Sequence, residues 1–314
     1  MEINKRSLIL YNPISGRAID QRILDEYRRI LAKNGYDADV LATSYPNHAT
    51  EAIQNADNYD VVFSIGGDGT LNEVVRGNYF RDKKLPICPL PSGTCNDVAS
   101  MLGYGKNMID NLEMALCGEV FDMDIGLINN NPFIYVVGVG KLMNIPYETK
   151  GYDKQKTGYL AYLKNAIPEV VSGINLYRTE VNIDGVNLDD EYSLIIVSNS
   201  NHIAGINNFH KDVCLDDGKM EVLLCRAKSK VKLVESFLKY FLGKDTEEII
   251  FLKAHDASFK FLDIPEKNWC IDGEKYDYGG SEYIISVGDK IPILTPAGKA
   301  KKLFKSRTSQ CEHF

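Results

Sequence analysis

The chain has 314 residues, of which 44% are hydrophobic and 25% charged, and its formal net charge is −7. This length suits two domains better than one core, and the negative charge argues against general affinity for nucleic acid. The sequence has no run of about 18 apolar residues, so we expect no membrane-spanning helix. Seven cysteines without a C-x-x-C pair predict free thiols in a reducing, cytoplasmic compartment rather than disulfides or a zinc site.

Strands and helices alternate through roughly the first 120 residues. Helices are predicted between four apolar runs that read as strands, at 7–11, 39–43, 60–65 and 85–90. This alternation predicts a mostly parallel sheet covered on both faces. Ligands bind such sheets beyond the carboxyl ends of the strands, where three polar corners fall, at 12–16, 66–72 and 92–97.

The second of these corners has the sequence Gly66-Gly67-Asp68-Gly69-Thr70. The glycines let an anion approach backbone N–H groups, and the following helix start adds unpaired donors and partial positive charge, so the pattern predicts a phosphate site. The alternative is a tight turn closed by a capping box between Thr70 and Glu73. Asp68 indicates a metal ion, because a carboxylate beside a phosphate would otherwise repel it.

After residue 119 the pattern changes to that of half-exposed strands. Only two helices are predicted in this half, at 158–167 and 231–242. The predicted strands lie at 120–125, 133–139, 175–183, 192–198, 220–225, 249–253, 258–262, 269–271 and 283–286. We therefore expect an antiparallel sandwich after a boundary near residue 125, with Trp269 in its core. The tail at 299–307 carries five positive charges and is either a solvated end or a contact for anionic lipid headgroups.

With these segments placed, the chain resembles the diacylglycerol kinase catalytic-domain family, in particular the soluble bacterial lipid kinases related to sphingosine and ceramide kinases. Six segments carry the resemblance: NPISG at 12–16, GGDGTLNEV at 66–74, PSGTCND at 91–97, GYLAY at 158–162, DDGKMEV at 216–222 and IDGE at 271–274. A GGDGT motif alone is shared with NAD kinases, whereas all six segments in this order are specific.

The resemblance implies an α/β plus all-β fold. The first part would be an NAD-kinase-like, nucleotide-binding α/β domain at 1–125, which the end of the chain rejoins at about 289–314. The second part would be a β-sandwich at 126–288 on the lipid-acceptor side of the cleft.

Together with the polar corners, the resemblance implies a binding site for ATP. The expected nucleotide-binding residues are Asn12, Pro13, Ile14, Ser15, Gly16, Thr43, Gly66, Gly67, Asp68, Gly69, Thr70, Leu71, Asn72, Thr94 and Asn96. Thr43 could also be an ordinary strand-end residue, and Thr94 has the spacing of a helix cap with Asp97.

Four carboxylates are the candidate catalytic groups. We expect Asp68 to organise Mg²⁺ and its waters, and Asp97 to complete that network from the next corner. The resemblance assigns Glu274 as the base and Asp272 as the group that orients it, facing the glycine motif across the cleft. As alternate residues of an extended segment they would point the same way. The alternative is a turn with ordinary surface acids.

The resemblance also implies a second, structural Mg²⁺ at the turn that begins at Asp216. The family holds this ion with one carboxylate and nearby backbone oxygens, which corresponds here to Asp217 with the carbonyls of Cys214 and Lys219. A plain Asp-Gly turn is the alternative.

The favoured function is transfer of phosphate from ATP to the hydroxyl of a membrane lipid, most simply diacylglycerol giving phosphatidic acid in phospholipid biosynthesis. Residues 201–211 and 98–100 depart from the family pattern, so a sphingoid base or phosphatidylglycerol stays open as acceptor. Two further functions stay open, those of an NAD kinase-like enzyme and of a nucleotide-binding regulatory module. The protein would act as a peripheral enzyme at the inner membrane surface, without nucleic acid, and a homodimer stays open.

Overall fold

The computed structural model describes residues 5–14, 16, 19–140, 174–263, 269–276 and 280–305. The chain divides into two compact units. Unit 1 comprises residues 1–125, 214–217 and 289–314, and unit 2 comprises residues 126–213 and 218–288. The predicted helix at 158–167, the segment at 158–162, Ser15 and the tail from residue 306 onward lie outside the described residues.

Unit 1 contains a parallel sheet. Its first four strands are β1 (Lys5–Tyr11), β2 (Tyr36–Ala42), β3 (Val61–Gly66) and β4 (Ile87–Pro91). They lie in the order β4-β3-β1-β2, and each neighbouring pair is parallel. Strands β3 and β4 are buried at every position, as expected for a sheet covered on both faces. The predicted parallel α/β architecture is therefore confirmed.

Five α-helices and one 3₁₀ helix, Lys301–Leu303, are described in unit 1. The α-helices are α1 (Gln21–Lys33), α2 (His48–Gln54), α3 (Asp68–Tyr79), α4 (Asp97–Met101) and α5 (Met108–Leu116). Helix α1 begins after Asp20, whose carboxylate accepts the N–H of Ile23 at 3.0 Å. Its apolar residues recur every three to four positions and are buried on one face, which is why the sequence alone predicts this helix.

Unit 2 is built mainly of antiparallel strands. Its described strands are β6 (Asn131–Phe133), β7 (Val136–Gly140), β8 (Tyr177–Ile183), β9 (Val186–Asn187), β10 (Asp190–Tyr192), β11 (Leu194–Ser198), β12 (His202–Ile203), β13 (Ile206–Asn207), β14 (Met220–Cys225), β15 (Ile249–Ala254), β16 (Asp256–Phe261), β17 (Trp269–Ile271) and β18 (Glu274–Tyr276). Strands β5 (Glu119–Ile128) and β19 (Glu282–Thr295) run through both units, and helix α6 covers Lys230–Phe241.

Two sheets enclose the core of unit 2. One has the order β15-β14-β11-β7-β17-β18, and the other contains β10-β8-β16-β19. Inward residues of both sheets form one buried cluster that includes Trp269, which contacts the rings of Phe259 and Phe261. The predicted β-sandwich is confirmed, and Trp269 is the core residue that the sequence predicts.

Strong patterns give the most accurate element bounds. The strands at 220–225 and 269–271 have the predicted bounds, and the predicted helix at 231–242 is found at Lys230–Phe241. Helix α4 and the two-residue strands β12 and β13 are not predicted from the sequence. These elements are too short to show a helical or strand periodicity.

Candidate active site

Three polar corners meet at the carboxyl edge of the parallel sheet in unit 1. The N–H of Asn12 donates to the carbonyl of Ile65 at 3.3 Å, and the N–H of Ser92 donates to the carbonyl of Gly66 at 2.9 Å. The corners follow β1, β3 and β4, which are parallel neighbours, so their backbones come together at one edge. The structure thus joins the three corners that the sequence predicts as a site.

Glycines allow these corners to pack backbone against backbone. A Cβ atom placed on Gly93 would lie 2.4 Å from the Cα of Gly67, and one on Gly16 would lie 2.0 Å from the carbonyl oxygen of Ser92. Gly16 also has a φ of +57°, which disfavours a side chain there. The result is a cradle of main chain rather than of side chains, the kind of surface that binds phosphate.

Helix α3 starts within the glycine motif. Gly67 is its N-cap and Asp68 its first residue, so Thr70 lies inside the helix and is buried. The carboxylate of Glu73 accepts the N–H groups of Asn47 at 2.9 Å and Ala49 at 3.2 Å, at the start of helix α2. The alternative of a Thr70–Glu73 capping box is therefore wrong, because Glu73 caps a neighbouring helix instead of its own.

The carboxylate of Asp68 links the second corner to the third. Its Oδ2 accepts the N–H of Asp97 at 3.1 Å, and its Oδ1 accepts the N–H of Val98 at 3.3 Å. Burial raises the pKa of Asp68, while these N–H donors act in the opposite direction. Asp68 thereby occupies the first N–H groups of α4, so the alternative of a Thr94 cap is wrong, and Thr94 is exposed in the corner.

The remaining predicted nucleotide residues lie around this edge with different exposures. Asn96, at a φ of +56°, exchanges two hydrogen bonds with Gly93, at 2.9 and 2.8 Å. Asp97 and Leu71 are buried, whereas Asn72 is half-buried. Pro13 and Ile14 are exposed, and Gly69 follows Asp68 in the first turn of α3.

Thr43 directly follows β2 at the same edge. Its N–H donates to the carbonyl of Tyr11 at 2.9 Å, which fixes it beside the end of β1. Thr43 is therefore a strand-end residue, and its contact with a nucleotide stays a prediction.

Two buried hydroxyl groups lie beside the corners. Within the described part of the chain, the Oγ atoms of Ser64 and Ser92 are buried without a hydrogen-bond partner. Ser64 and Asp68 line a cavity of about 10 Å³, which is room for about one water molecule. This cavity is too small for a hydrated Mg²⁺, which retains several waters, so the metal site at Asp68 and Asp97 stays a prediction. Ser92 lies in the predicted corner at 92–97, but neither serine is predicted as a site residue from the sequence.

The predicted structural Mg²⁺ turn contains a lysine ammonium group. The Nζ of Lys305 lies 3.2 Å from Oδ2 of Asp217, whose side chain is 8% exposed. The main-chain N–H of Lys305 donates to Oδ1 of Asp216 at 2.7 Å, and the thiol of Cys214 donates to the same oxygen at 3.1 Å. A magnesium ion at Asp217 would have to displace this ammonium. The site, with Lys219 in unit 2, stays a prediction.

A further buried carboxylate of unit 1, Asp124, was not predicted as a site residue. It is 1% exposed, and its Oδ1 lies 3.5 Å from the Nζ of Lys290. The alternation of acids and apolar residues at 120–125 predicts an exposed side chain at this position. Tertiary packing instead buries it beside a lysine that is distant in sequence.

In unit 2, Asp272 and Gly273 form the turn between β17 and β18. Both have positive φ, +47° and +87°, as in a type I′ turn. The carboxylate of Asp272 accepts the N–H groups of three consecutive residues, Ile134 at 2.7 Å, Tyr135 at 2.9 Å and Val136 at 3.0 Å.

Glu274 is exposed, whereas Asp272 is 1% exposed. The expectation that the two acids point the same way is therefore wrong, because strand alternation does not continue through a two-residue turn. Their catalytic roles stay predictions.

The family model and the curated relatives that match this chain all point to the same protein family. Residues 6–128 match the family model described as the diacylglycerol kinase catalytic domain. A diacylglycerol kinase of Bacillus subtilis (strain 168) is 28% identical over 307 residues, covering 95% of this chain and 99% of that protein. A diacylglycerol kinase of Staphylococcus aureus (strain Newman) is 30% identical over 282 residues, covering 88% of each chain.

The solved structures agree on the fold. A crystal structure of a diacylglycerol kinase from Bacillus anthracis strain Sterne superposes with a TM-score of 0.73 at 22% identity, covering 93% of this chain and 97% of that one. In the described segments of our chain, no helix combines the length and the apolar character needed to cross a membrane.

Proposed function

We propose that this chain, which belongs to the diacylglycerol kinase catalytic-domain family, transfers the γ-phosphate of ATP to the hydroxyl of diacylglycerol and produces phosphatidic acid. The chain is a lipid kinase. The main support for phosphate transfer from ATP is that three glycine-containing corners and the Asp68 carboxylate converge at one sheet edge.

The corners would hold the phosphates of ATP. Phosphoryl transfer requires little covalent work from the protein, so catalysis depends on position and charge. Close backbone packing at Gly16, Gly67 and Gly93 leaves a surface without Cβ atoms, where N–H groups can approach phosphate oxygens. Exposed Thr94 and half-buried Asn72 supply side-chain hydrogen bonds at the same edge.

Asp68 and Asp97 would hold Mg²⁺ through its waters. When bound, Mg²⁺ neutralises the charge that develops on the transferred phosphate. Asp68 is itself held by two N–H groups at the start of α4, which fixes the direction of its carboxylate. A small change in that direction would misplace the charge, so both corners contribute to catalysis.

Glu274 is proposed to accept the proton of the acceptor hydroxyl. Its side chain is exposed at the start of β18, where a substrate can reach it. Asp272 is proposed to position Glu274 indirectly, because its three hydrogen bonds to residues 134–136 hold the turn that precedes β18. In this scheme Glu274 exchanges the proton and Asp272 only fixes the turn.

A diacylglycerol acceptor resides in a membrane, so the reaction would take place at a membrane surface. We propose a peripheral enzyme at the inner, cytoplasmic surface, where ATP is available.

The test is transfer of radiolabel from ATP to a panel of diacylglycerol, sphingoid bases, phosphatidylglycerol and NAD. We expect label mainly in phosphatidic acid. Label in another lipid would change the acceptor, label in NAD alone would overturn the lipid assignment, and ATP binding without transfer would favour a regulatory module. A lipid extract from cells that overproduce the protein should show the same phosphorylated species.

A further inference from the structure

Tyr45 is an aromatic side chain that stays exposed beside the nucleotide corners. It lies between β2 and α2, two residues after Thr43, and 52% of its surface is exposed. Its ring stacks on the ring of His48, with centroids 4.5 Å apart and planes 12° from parallel. Single exposed aromatic residues are common on protein surfaces. Tyr45 therefore indicates a binding site only through its position and its fixed conformation.

The loop that carries Tyr45 is held in place by hydrogen bonds. The N–H of Ser44 donates to Nδ1 of His48 at 3.1 Å, and the hydroxyl of Tyr45 donates to Glu51 at 2.8 Å. The N–H of Asn47 donates to Glu73, which lies in α3 shortly after the glycine corner. The aromatic pair is therefore preorganised and connected to the helix that starts at the phosphate cradle.

The sheet order places Tyr45 and His48 at a distance from the phosphate corner that one nucleotide can span. The glycine corner at 66–72 follows β3, while Tyr45 follows β2, and β1, with the corner at 12–16, lies between them. Adjacent strands are about 4.8 Å apart, so the ends of β3 and β2 are about 10 Å apart along the edge. A nucleotide with its phosphates at the glycine corner can span this distance and bring its base over β2.

We propose that the open face of Tyr45, supported from behind by His48, binds the nucleobase of the phosphate donor by stacking. This inference rests on the proposed function, because it requires a nucleotide at the corners. Every base has a flat π face, so stacking supplies affinity with little choice between bases. The site therefore predicts that GTP binds within a few-fold of ATP unless other contacts read the base edge.

The test compares binding of ATP with binding of inorganic tripolyphosphate, which has the phosphate chain but no base. Binding is measured at equilibrium with Mg²⁺ and without lipid. Loss of one stacking partner should weaken ATP binding about 5- to 150-fold in Tyr45→Ala. Tripolyphosphate binding should stay within twofold of wild type, and Tyr45→Phe, which keeps the ring, should bind ATP nearly as wild type does.

Phe80→Ala is the matched control. Phe80 is also an exposed aromatic residue of unit 1, at 62%, but it follows the opposite end of α3, about 18 Å of helix away from the glycine corner. Its removal should leave both ligands unaffected. In the transfer assay, Tyr45→Ala should raise the KM for ATP and leave kcat within about twofold, because the base contact is the same in the ground and transition states.

Wild-type affinity for ATP in Tyr45→Ala would overturn the base site. Equal losses of ATP and tripolyphosphate would also overturn it, because they would show a collapsed corner rather than a lost stacking partner. A wild-type protein that binds neither ligand would overturn the proposed function itself, and the base site with it.

Discussion

Asp68 in unit 1 and Asp272 in unit 2 are both carboxylates that accept backbone N–H groups, and the difference between them is instructive. Asp68 accepts the N–H groups of Asp97 and Val98 at the start of α4 and is half-buried. Asp272 accepts three N–H groups and is 1% exposed. The first carboxylate therefore stays partly accessible, whereas the second is buried and holds its own fold. Two residues after Asp272, Glu274 is exposed.

Glu274→Gln should produce the largest loss of activity, on the order of 10²- to 10⁴-fold in kcat, because an amide cannot accept the proton of the acceptor. Stability should change by less than about 0.5 kcal/mol, since the side chain is exposed. The measurement is radiolabel transfer together with denaturant unfolding. A wild-type kcat in this variant would show that another group acts as the base.

Asp68→Ala should lower kcat on the order of 10²-fold or more, because the charge of the bound metal would be misplaced. Its unfolding free energy should fall by about 1 kcal/mol, the usual value of a helix cap. Asp122→Ala, which removes an exposed acid of unit 1, is the control and should leave both quantities unchanged. If Asp68→Ala loses stability but keeps its kcat, Asp68 has only a structural role, as Asp272 does, and the proposed difference between them is wrong.

Asp272→Ala should destabilise the protein by about 3 kcal/mol, because three buried N–H groups lose a charged acceptor. The measurement is chemical denaturation followed by circular dichroism. Asp272→Asn keeps one oxygen acceptor and should lose less stability. A variant that retains full stability but loses activity would show that Asp272 acts on the reaction directly rather than through the turn.

His210 is a buried titratable group of unit 2 that makes the stability of the protein depend on pH. It is 1% exposed in unit 2, its Nδ1 lies 2.7 Å from the hydroxyl of Tyr240, and burial lowers its pKa to about 3. Because the folded pKa is depressed, its contribution to stability is complete above about pH 6.5 and declines as the pH falls toward 3. At pH 5 this loss is about 2 kcal/mol.

The pH dependence of the unfolding free energy measures this loss, with two variants for comparison. In His210→Phe the slope between pH 7 and 5 should decrease. In Tyr240→Phe the hydrogen bond is lost but the imidazole remains, so the slope should persist. Identical slopes in all three proteins would assign the acid sensitivity to other groups.

Lys305→Met should give the smallest effect, a decrease in Tm of about 2–4 °C. The change leaves the nearly buried carboxylate of Asp217 without its ammonium partner, which is itself largely exposed. Lys302→Met, a change of an exposed lysine in the same segment, should leave Tm unchanged. If the wild-type Tm instead falls when EDTA is added without nucleotide, a divalent cation rather than Lys305 stabilises this turn.

Local patterns predict much of the fold and part of the site. The alternation of apolar runs with helical stretches predicts the α/β sheet, and the Gly66–Thr70 motif predicts a phosphate corner at its edge, since parallel strands end together. The partners of Glu73, Asp68 and Asp272 could not be predicted in this way. Each carboxylate binds N–H groups 24 to 138 residues away, a choice that spacing does not encode.

The sequence by itself determined the two architectures, the three corners and the family to which the chain belongs, because strand period, glycine placement and motif order are local properties of the chain. Only the tertiary structure decided which carboxylates accept backbone N–H groups and which stay exposed to solvent. That distinction depends on burial and on partners brought together by folding. It separates Asp272 from Glu274, two residues apart, and places Tyr45 at the edge where the glycine corner lies.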